Sequence, residues 1–127
     1  MLDDLNNRFD YTHDPEQFGL KDFWYIMKND TGPLKGDCDD YALTALWYLE
    51  RKSMLRFWWA LLTRKARIWY CIYTPVNGGH AVLQYKGKWI DNIQKEFVSD
   101  TLEPLGYDMK YPFKIPVILH KMGYFKL

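Results

Sequence analysis

A cysteine set among acidic residues is the part of the sequence with the clearest chemical potential. Cys38 lies in the segment Gly-Asp-Cys-Asp-Asp-Tyr-Ala, residues 36–42, where an apolar helical pattern begins. The nucleophilic form of cysteine is the thiolate, and the amino end of a helix favours negative charge. The placement therefore indicates a reactive thiol, and a free cysteine that merely packs in the core is the alternative.

The acids beside this cysteine oppose its ionisation. Carboxylates close to a thiol raise its pKa, so they must point away, cap the helix or hold a cation. Asp37 suits the N-cap position, and Asp39 and Asp40 suit the first turn. Cys71 differs because it lies in an apolar run with no charged residue within three positions, so we predict that it packs in the core. Their different surroundings argue against a disulfide between the two cysteines.

One of the three histidines is placed to act on a thiol. His13 and His120 lie in polar stretches and are expected at the surface. His80 follows two glycines and opens an alternating strand pattern, so a loop rim presents it. Taken alone, His80 would be a histidine satisfied by backbone groups.

The spacing from His80 to Asp91 favours a catalytic pair. Strands are predicted over residues 80–85 and 88–93, joined by a turn at Lys86-Gly87. With that turn Val82 faces Asp91, so His80 and Asp91 are diagonal neighbours on one face, with Cα atoms about 7–8 Å apart. We therefore predict a hydrogen bond between them, which a shift of one residue would prevent.

A cysteine hydrolase needs a base beside the thiol and a third group that fixes the tautomer of the imidazole. His80 and Asp91 could supply both. Asn92 is a weaker candidate for the orienting role, and Asp91 could instead be an ordinary acid beside a turn.

Three motifs in this order, GDCDDYA at 36–42, GHAVLQY at 79–85 and WIDN at 89–92, resemble the bacterial transglutaminase-like cysteine proteinases. The resemblance covers roughly residues 18–119. It implies an α+β, transglutaminase-like (papain-like) core, in which a helix carrying the cysteine packs on an antiparallel sheet carrying the histidine and the aspartate. It also implies Cys38 as nucleophile, His80 as general base and Asp91 as its orienting group.

The resemblance also bears on metal and substrate. In the periplasmic, adhesin-cleaving branch of the family, acids flanking the cysteine bind calcium, a pattern that falls on Asp37 and Asp39 here. Those enzymes commonly have Glu at the position of Asp39, and helix capping is the alternative role for the pair. The chain is more similar to minimal, phage-type members, so the adhesin substrate is not transferred.

The remaining elements follow from local pattern, and they predict one α+β domain over residues 1–127. Turn chemistry occupies residues 29–36, and the predicted helices and strands are helices over 18–28, 38–52 and 55–63 and strands over 68–74, 80–85, 88–93 and 115–120. Trp24, in the first helix, is expected either in the core or as a wall of the active-site groove, where its indole could help stabilise an oxyanion.

Composition limits the partners. The net charge of +1 argues against nucleic acid, and the longest apolar stretch is too short to span a bilayer. The first ten residues contain no secretory signal, so we expect a cytoplasmic protein, and the resemblance to minimal members implies a phage-type one. Oligomeric state stays open.

The predicted function is a cysteine peptidase or amidase that cleaves a peptide or isopeptide bond in a protein or peptide substrate through a thioester. No cofactor is required, and calcium is a candidate ligand. The alternatives are transglutaminase-type acyl transfer, a non-catalytic binding module that docks through the aromatic and basic residues 51–70, and a zinc protein. The zinc alternative lacks CxxC or HxxxH spacing.

Overall fold

The computed structural model describes residues 2–11, 24–28, 32–75, 77–99 and 102–122. The fold is mixed α+β, as predicted. In chain order the elements are helix α1 (Asp3–Arg8), strands β1 (Phe9–Tyr11) and β2 (Leu34–Gly36), helices α2 (Cys38–Leu49) and α3 (Met54–Leu62), strands β3 (Ala66–Tyr73), β4 (Gly78–Tyr85) and β5 (Lys88–Ile90), a 3-10 helix (Glu103–Leu105), strand β6 (Tyr107–Pro112) and helix α4 (Ile115–Lys121).

An antiparallel four-stranded sheet in the order β5-β4-β3-β6 forms the centre of the fold. Alternate residues of β4 face opposite sides, since side chains alternate along a strand. Ala81 and Leu83 join the main core, to which α2 contributes Leu43 and Leu46. Val82 belongs to a smaller core on the other face. Helix α2, which carries Cys38, therefore packs on only one of the two faces of the sheet.

The start of α2 is fixed by reciprocal hydrogen bonds. Asp37 is the N-cap and accepts from the backbone N–H groups of Asp39 and Asp40, at 3.1 and 3.3 Å, while Asp40 Oδ2 accepts from the N–H of Asp37 at 3.1 Å. A Cβ at Gly36 would lie 2.7 Å from the Cβ of Asp40, so only glycine fits there. The predicted N-cap and helix start are confirmed.

The β4–β5 hairpin has the predicted register. Lys86 and Gly87 have φ of 51° and 81°, the two positive values that a type I′ turn requires. Tyr85 therefore pairs with Lys88. However, β5 ends at Ile90 rather than at residue 93. The carboxylate of Asp91 accepts from the N–H of Gln94 at 2.7 Å, which turns the chain away from β4.

Two predicted elements are wrong. Residues 115–120 form helix α4 rather than a strand, with a proline in its first turn, where the missing N–H costs nothing. A short apolar run cannot distinguish the two structures by periodicity alone. Residues 24–28 have no regular secondary structure, although a helix was predicted there. The rest of the predicted 18–28 helix, residues 29–31 of the predicted turn and His13 lie outside the described residues.

Five elements were not predicted from the sequence, namely helix α1, the 3-10 helix and strands β1, β2 and β6. Strands β1 and β2 pair in parallel, with Leu34–Gly36 lying in a segment predicted as a turn. Strand β6 adds to β3 with a register shift between Tyr70 and Cys71. These strands are short or irregular, so their alternation is too brief to stand out.

A buried carboxylate ties the far end of α2 to the sheet. Glu50 is 3% exposed, accepts from the Tyr85 hydroxyl at 2.5 Å and pairs with Lys65 at 2.9 Å and Arg56 at 3.6 Å. Burial alone would raise the pKa of Glu50, but the bonds from Tyr85 and Lys65 outweigh it and hold this pKa below its ordinary value.

Replacing Tyr85 by Phe is expected to lower the free energy of unfolding by about 1–2 kcal/mol, because the buried carboxylate loses a donor. Urea denaturation measures the change. Tyr111→Phe is the matched control, since Tyr111 is 53% exposed and should change little. Equal effects of the two substitutions would contradict the role given to the Tyr85 hydroxyl.

Candidate active site

Cys38 is the first residue of α2 and lies against β4. The backbone N–H of Ala81 donates to its sulfur. In the hairpin register the N–H of Ala81 points away from β3, toward the side that β5 would occupy if it were longer. Strand β5 pairs only with residues 83–85 of β4, so the sulfur sits at an open strand edge, one residue from His80.

The surroundings of this thiol disfavour its charged form. Burial first, and then the carboxylates of Asp39 and Asp37, raise the pKa of Cys38 well above its ordinary value, and the N–H groups of Ala81 and Asp39 offset this only in part. The favourable electrostatic field at the amino end of α2 therefore does not bring the pKa of Cys38 down to its ordinary value. At neutral pH the thiol is protonated and needs a base, or a compensating cation, to become a nucleophile.

His80 and Asp91 form the predicted hydrogen bond. Nε2 of His80 lies 2.7 Å from Oδ2 of Asp91, and the residues are 8% and 2% exposed. A carboxylate oxygen accepts, so Nε2 is the ring nitrogen that donates in this bond and Nδ1 is the one that faces away from Asp91. The bond thus fixes the orientation of the imidazole.

Two residues that the sequence did not indicate support this pair. The Tyr107 hydroxyl donates to Asp91 Oδ2, and the Gln94 side chain lies 3.5 Å from that hydroxyl. Burial, and then the bond to Asp91, raise the pKa of Tyr107, so the phenol remains a donor. The rings of Tyr73 and Tyr107 lie 5.9 and 5.8 Å from the imidazole. Tyr107 reaches Asp91 from β6, on the opposite side of β3 from β4, and no local motif marks that contact.

Replacing Tyr107 by Phe is expected to lower the free energy of unfolding by about 1–3 kcal/mol, because the buried Asp91 loses a donor. A double-mutant cycle with Asp91→Ala, which removes the acceptor, isolates that bond, and urea denaturation provides the measurement. We expect the two effects to be clearly less than additive. Strict additivity would show that the Tyr107 hydroxyl does not stabilise Asp91.

The structure does not join the thiol to the imidazole. Both residues are described, and no hydrogen bond links the Cys38 sulfur to the His80 ring. The two side chains lie on opposite faces of β4. The His80 side chain is on the face that carries Val82, near the ring of Tyr107, whereas α2 packs on the face that carries Ala81. The two groups would meet around the open edge of β4.

The acids near Cys38 differ in their surroundings. Asp40 is fully buried, and its two oxygens accept from the N–H groups of Tyr25, at 3.0 Å, and Asp37, at 3.1 Å. Ligand atoms of Asp37, Cys38 and Asp39 all lie within 4.8 Å of one another. Carboxylate oxygens suit calcium, which takes six to eight oxygen ligands. Asp37 and Asp39 fit as part of such a set, and Asp37 is also the helix cap.

Cys71 and Trp24 are core residues. Cys71 is fully buried and unbridged, and its sulfur lies 3.5 Å from the carbonyl oxygen of His80. Burial, followed by the charges of Asp91 and Asp108, raises the pKa of Cys71 to about 12. Trp24 is 1% exposed and its ring packs edge-on against Phe113 at 4.9 Å. Its role at the oxyanion stays a prediction that these contacts do not support.

Asn92, the second candidate for orienting His80, and the histidine His120 are weaker candidates for a role in the site. Asn92 is half-buried, and its side-chain oxygen accepts no hydrogen bond among the described residues. His120 is an exposed residue in the last turn of α4, as expected.

An antiparallel sheet packed on a helix that begins at a cysteine is the arrangement of the transglutaminase-like fold, and this chain has that fold. Solved structures of Legionella pneumophila LapG share it. The calcium-bound form matches with a TM-score of 0.62 and 21% identity over 88% of this chain and 61% of LapG. The EGTA-treated form matches with a TM-score of 0.60 and 21% identity over 88% and 59%.

The chain spans about three fifths of the length of LapG. At 21% identity the likeness shows the fold alone. No protein-family model and no curated protein sequence matches this chain.

Proposed function

We propose that this protein is a cysteine hydrolase that cleaves a peptide or isopeptide amide bond, with Cys38, His80 and Asp91 as its catalytic triad. The observation that carries the proposal is the buried 2.7 Å bond between His80 and Asp91, one strand position from the edge where the Cys38 sulfur lies. LapG, a cysteine protease on this fold, gives the proposal further support.

In this mechanism Nδ1 of His80 takes the proton of the Cys38 thiol as the sulfur attacks the carbonyl carbon of the substrate. The imidazolium, stabilised by Asp91, then gives that proton to the leaving amine, and a thioester remains on Cys38. Water activated by His80 hydrolyses the thioester and restores the thiol. The protonated resting thiol makes His80 necessary, since little thiolate forms without it.

The approach of imidazole to thiol belongs to the substrate-bound state in this proposal. Catalytic hydrogen bonds are often long or poorly aligned before substrate binds and tighten in the complex. A substrate lying along the open edge of β4 would shield both groups from water.

A screen of unfolded protein substrates and peptide libraries tests the proposal, with new amino termini identified by mass spectrometry. Cleavage should require Cys38 and persist in Cys71→Ala. Hydroxylamine added to the reaction should give a hydroxamate, which reports the thioester. Incorporation of a fluorescent amine at glutamine without new termini would indicate transglutaminase-type transfer instead, and cleavage by Cys38→Ala would overturn the triad.

A calcium ion held by Asp37 and Asp39 is an optional part of this proposal, supported by the donor set and by the calcium-bound LapG structure. When bound, the ion would offset the two carboxylates that raise the pKa of Cys38. It would leave the proton transfers to His80.

Calcium added to chelator-treated protein is therefore expected to move the pH profile of Cys38 alkylation to lower pH. The melting temperature should change little on chelation, because the cap formed by Asp37 already holds the helix start. Asp39→Asn should remove most of the calcium response. Unfolding on chelation, or a profile indifferent to calcium, would contradict this assignment.

A further inference from the structure

Helix α3 carries an apolar stripe on its solvent side. Leu55, Trp59 and Leu62 are 82%, 63% and 62% exposed, and their spacing of four and three residues puts them on one helical face. The opposite face, with Phe57, Ala60 and Leu61, is buried in the core. The outer side of this helix is therefore apolar rather than a solvated basic face.

Nearly all residues of α3 are apolar, which is typical of a helix that is covered on both sides. Arg56 is the one charged residue in Met54–Leu62. A helix that is apolar all round is normally buried in a core or in a membrane. Single exposed apolar residues need no explanation, but three that form a continuous stripe indicate a surface that something covers.

The charged residues around α3 indicate what kind of surface covers the apolar stripe. Residues 51–90 contain eight Lys and Arg and no Asp or Glu, although the whole chain has a net charge of +1. Arg51 and Arg64, just outside the two ends of α3, are exposed and form no ion pair with any described residue. A stripe with a cation at each end favours an anionic surface, and it disfavours a second copy of α3, which would bring like charges together.

The shape of the stripe favours lipid over protein. It protrudes from a convex helix of nine residues, about 13 Å long. A helix of a folded protein that exposes Trp and Leu, with cations at its two ends, can rest in the plane of a bilayer interface, where no groove has to be formed. No helix in the described parts of the chain is long and apolar enough to cross a bilayer.

We propose that α3 docks the protein on an anionic lipid surface, with Leu55, Trp59 and Leu62 in the interface and Arg51 and Arg64 at the phosphate groups. The surface is remote from the thiol, because α2 places Cys38 about 18 Å from its other end, where α3 begins. Docking would leave the candidate active site open, and it does not depend on the proposed hydrolase activity.

Co-sedimentation of the full chain with vesicles tests this proposal. Vesicles of phosphatidylcholine with a quarter phosphatidylglycerol should bind the protein, and pure phosphatidylcholine should bind it at least about tenfold more weakly. Binding should weaken as salt increases. Combined replacement of Leu55, Trp59 and Leu62 by Ser should reduce binding at least about tenfold.

Two control variants separate the stripe from general effects. Leu105→Ser removes a 44% exposed leucine outside α3 and should leave vesicle binding unchanged. Arg51→Glu with Arg64→Glu should abolish the preference for anionic vesicles. The melting temperature of each variant checks its fold, since all these side chains are exposed. Equal binding by the triple variant would overturn the proposal, as would a stripe-dependent dimer or acidic protein complex without vesicle binding.

Discussion

Alkylation of the native protein with iodoacetamide at neutral pH is expected to label Cys38 at least about 100-fold faster than Cys71. Both thiols are protonated at this pH, so the difference between their labelling rates depends on reagent access and on a nearby base. Cys38 is half-buried at an open strand edge, and in the proposed mechanism His80 takes its proton. Cys71 is fully buried, with a pKa of about 12. Mass mapping of the modified peptides measures both rates.

The pH dependence has a definite sign. The pKa of Cys38 is raised, so its thiolate fraction increases about tenfold per pH unit throughout the neutral range, and labelling should accelerate accordingly. Cys71→Ala should leave this profile unchanged. Denatured protein should label both cysteines at similar rates, which controls for the chemistry of the reagent. Preference for Cys71 in the native protein, or equal labelling, would exclude Cys38 as the nucleophile.

Asp91→Asn is expected to lower turnover by about 10³–10⁴-fold, provided that the proposed hydrolase activity is found. An amide in place of the carboxylate no longer holds the proton on Nε2 of His80, and it removes the charge that stabilises the imidazolium. The measurement is kcat on a peptide identified in the cleavage screen, with stability followed in parallel.

Asp108→Asn is the matched control for Asp91→Asn. Asp108 is an exposed carboxylate on β6 that pairs with Lys110 at 2.9 Å, and its loss should change kcat less than about twofold. A large loss for Asp91→Asn with preserved folding would support the orienting role. Full activity in this variant would show that the bond to His80 is structural.

The sequence predicts much of this arrangement, because the relevant signals are local. A helix start after glycine and aspartate, and a two-residue turn flanked by alternating apolar residues, each depend on neighbours a few positions apart. The register of that turn alone predicts the contact of His80 with Asp91.

Other parts of the fold and site depend on distant contacts, which one sequence does not reveal. Tyr107 reaches Asp91 only after β6 has added to the sheet, sixteen residues further along the chain. The raised pKa of Cys38 results mainly from burial, which no spacing predicts. Residues 115–120 combine β-branched side chains with a proline in the first turn, and they form a helix in which Ile118 is buried.

The short length of β5 links stability to function. Two more residues of pairing would add ladder hydrogen bonds to β4, but they would occupy the backbone edge where Cys38 now meets Ala81 and would draw Asp91 into the ladder. At the candidate site the sheet is therefore incomplete, and the side chain of Cys38 from α2 occupies the part of the β4 edge that β5 leaves unpaired. Substitutions that stabilise this hairpin by extending it should act against the site, a trade-off between stability and activity.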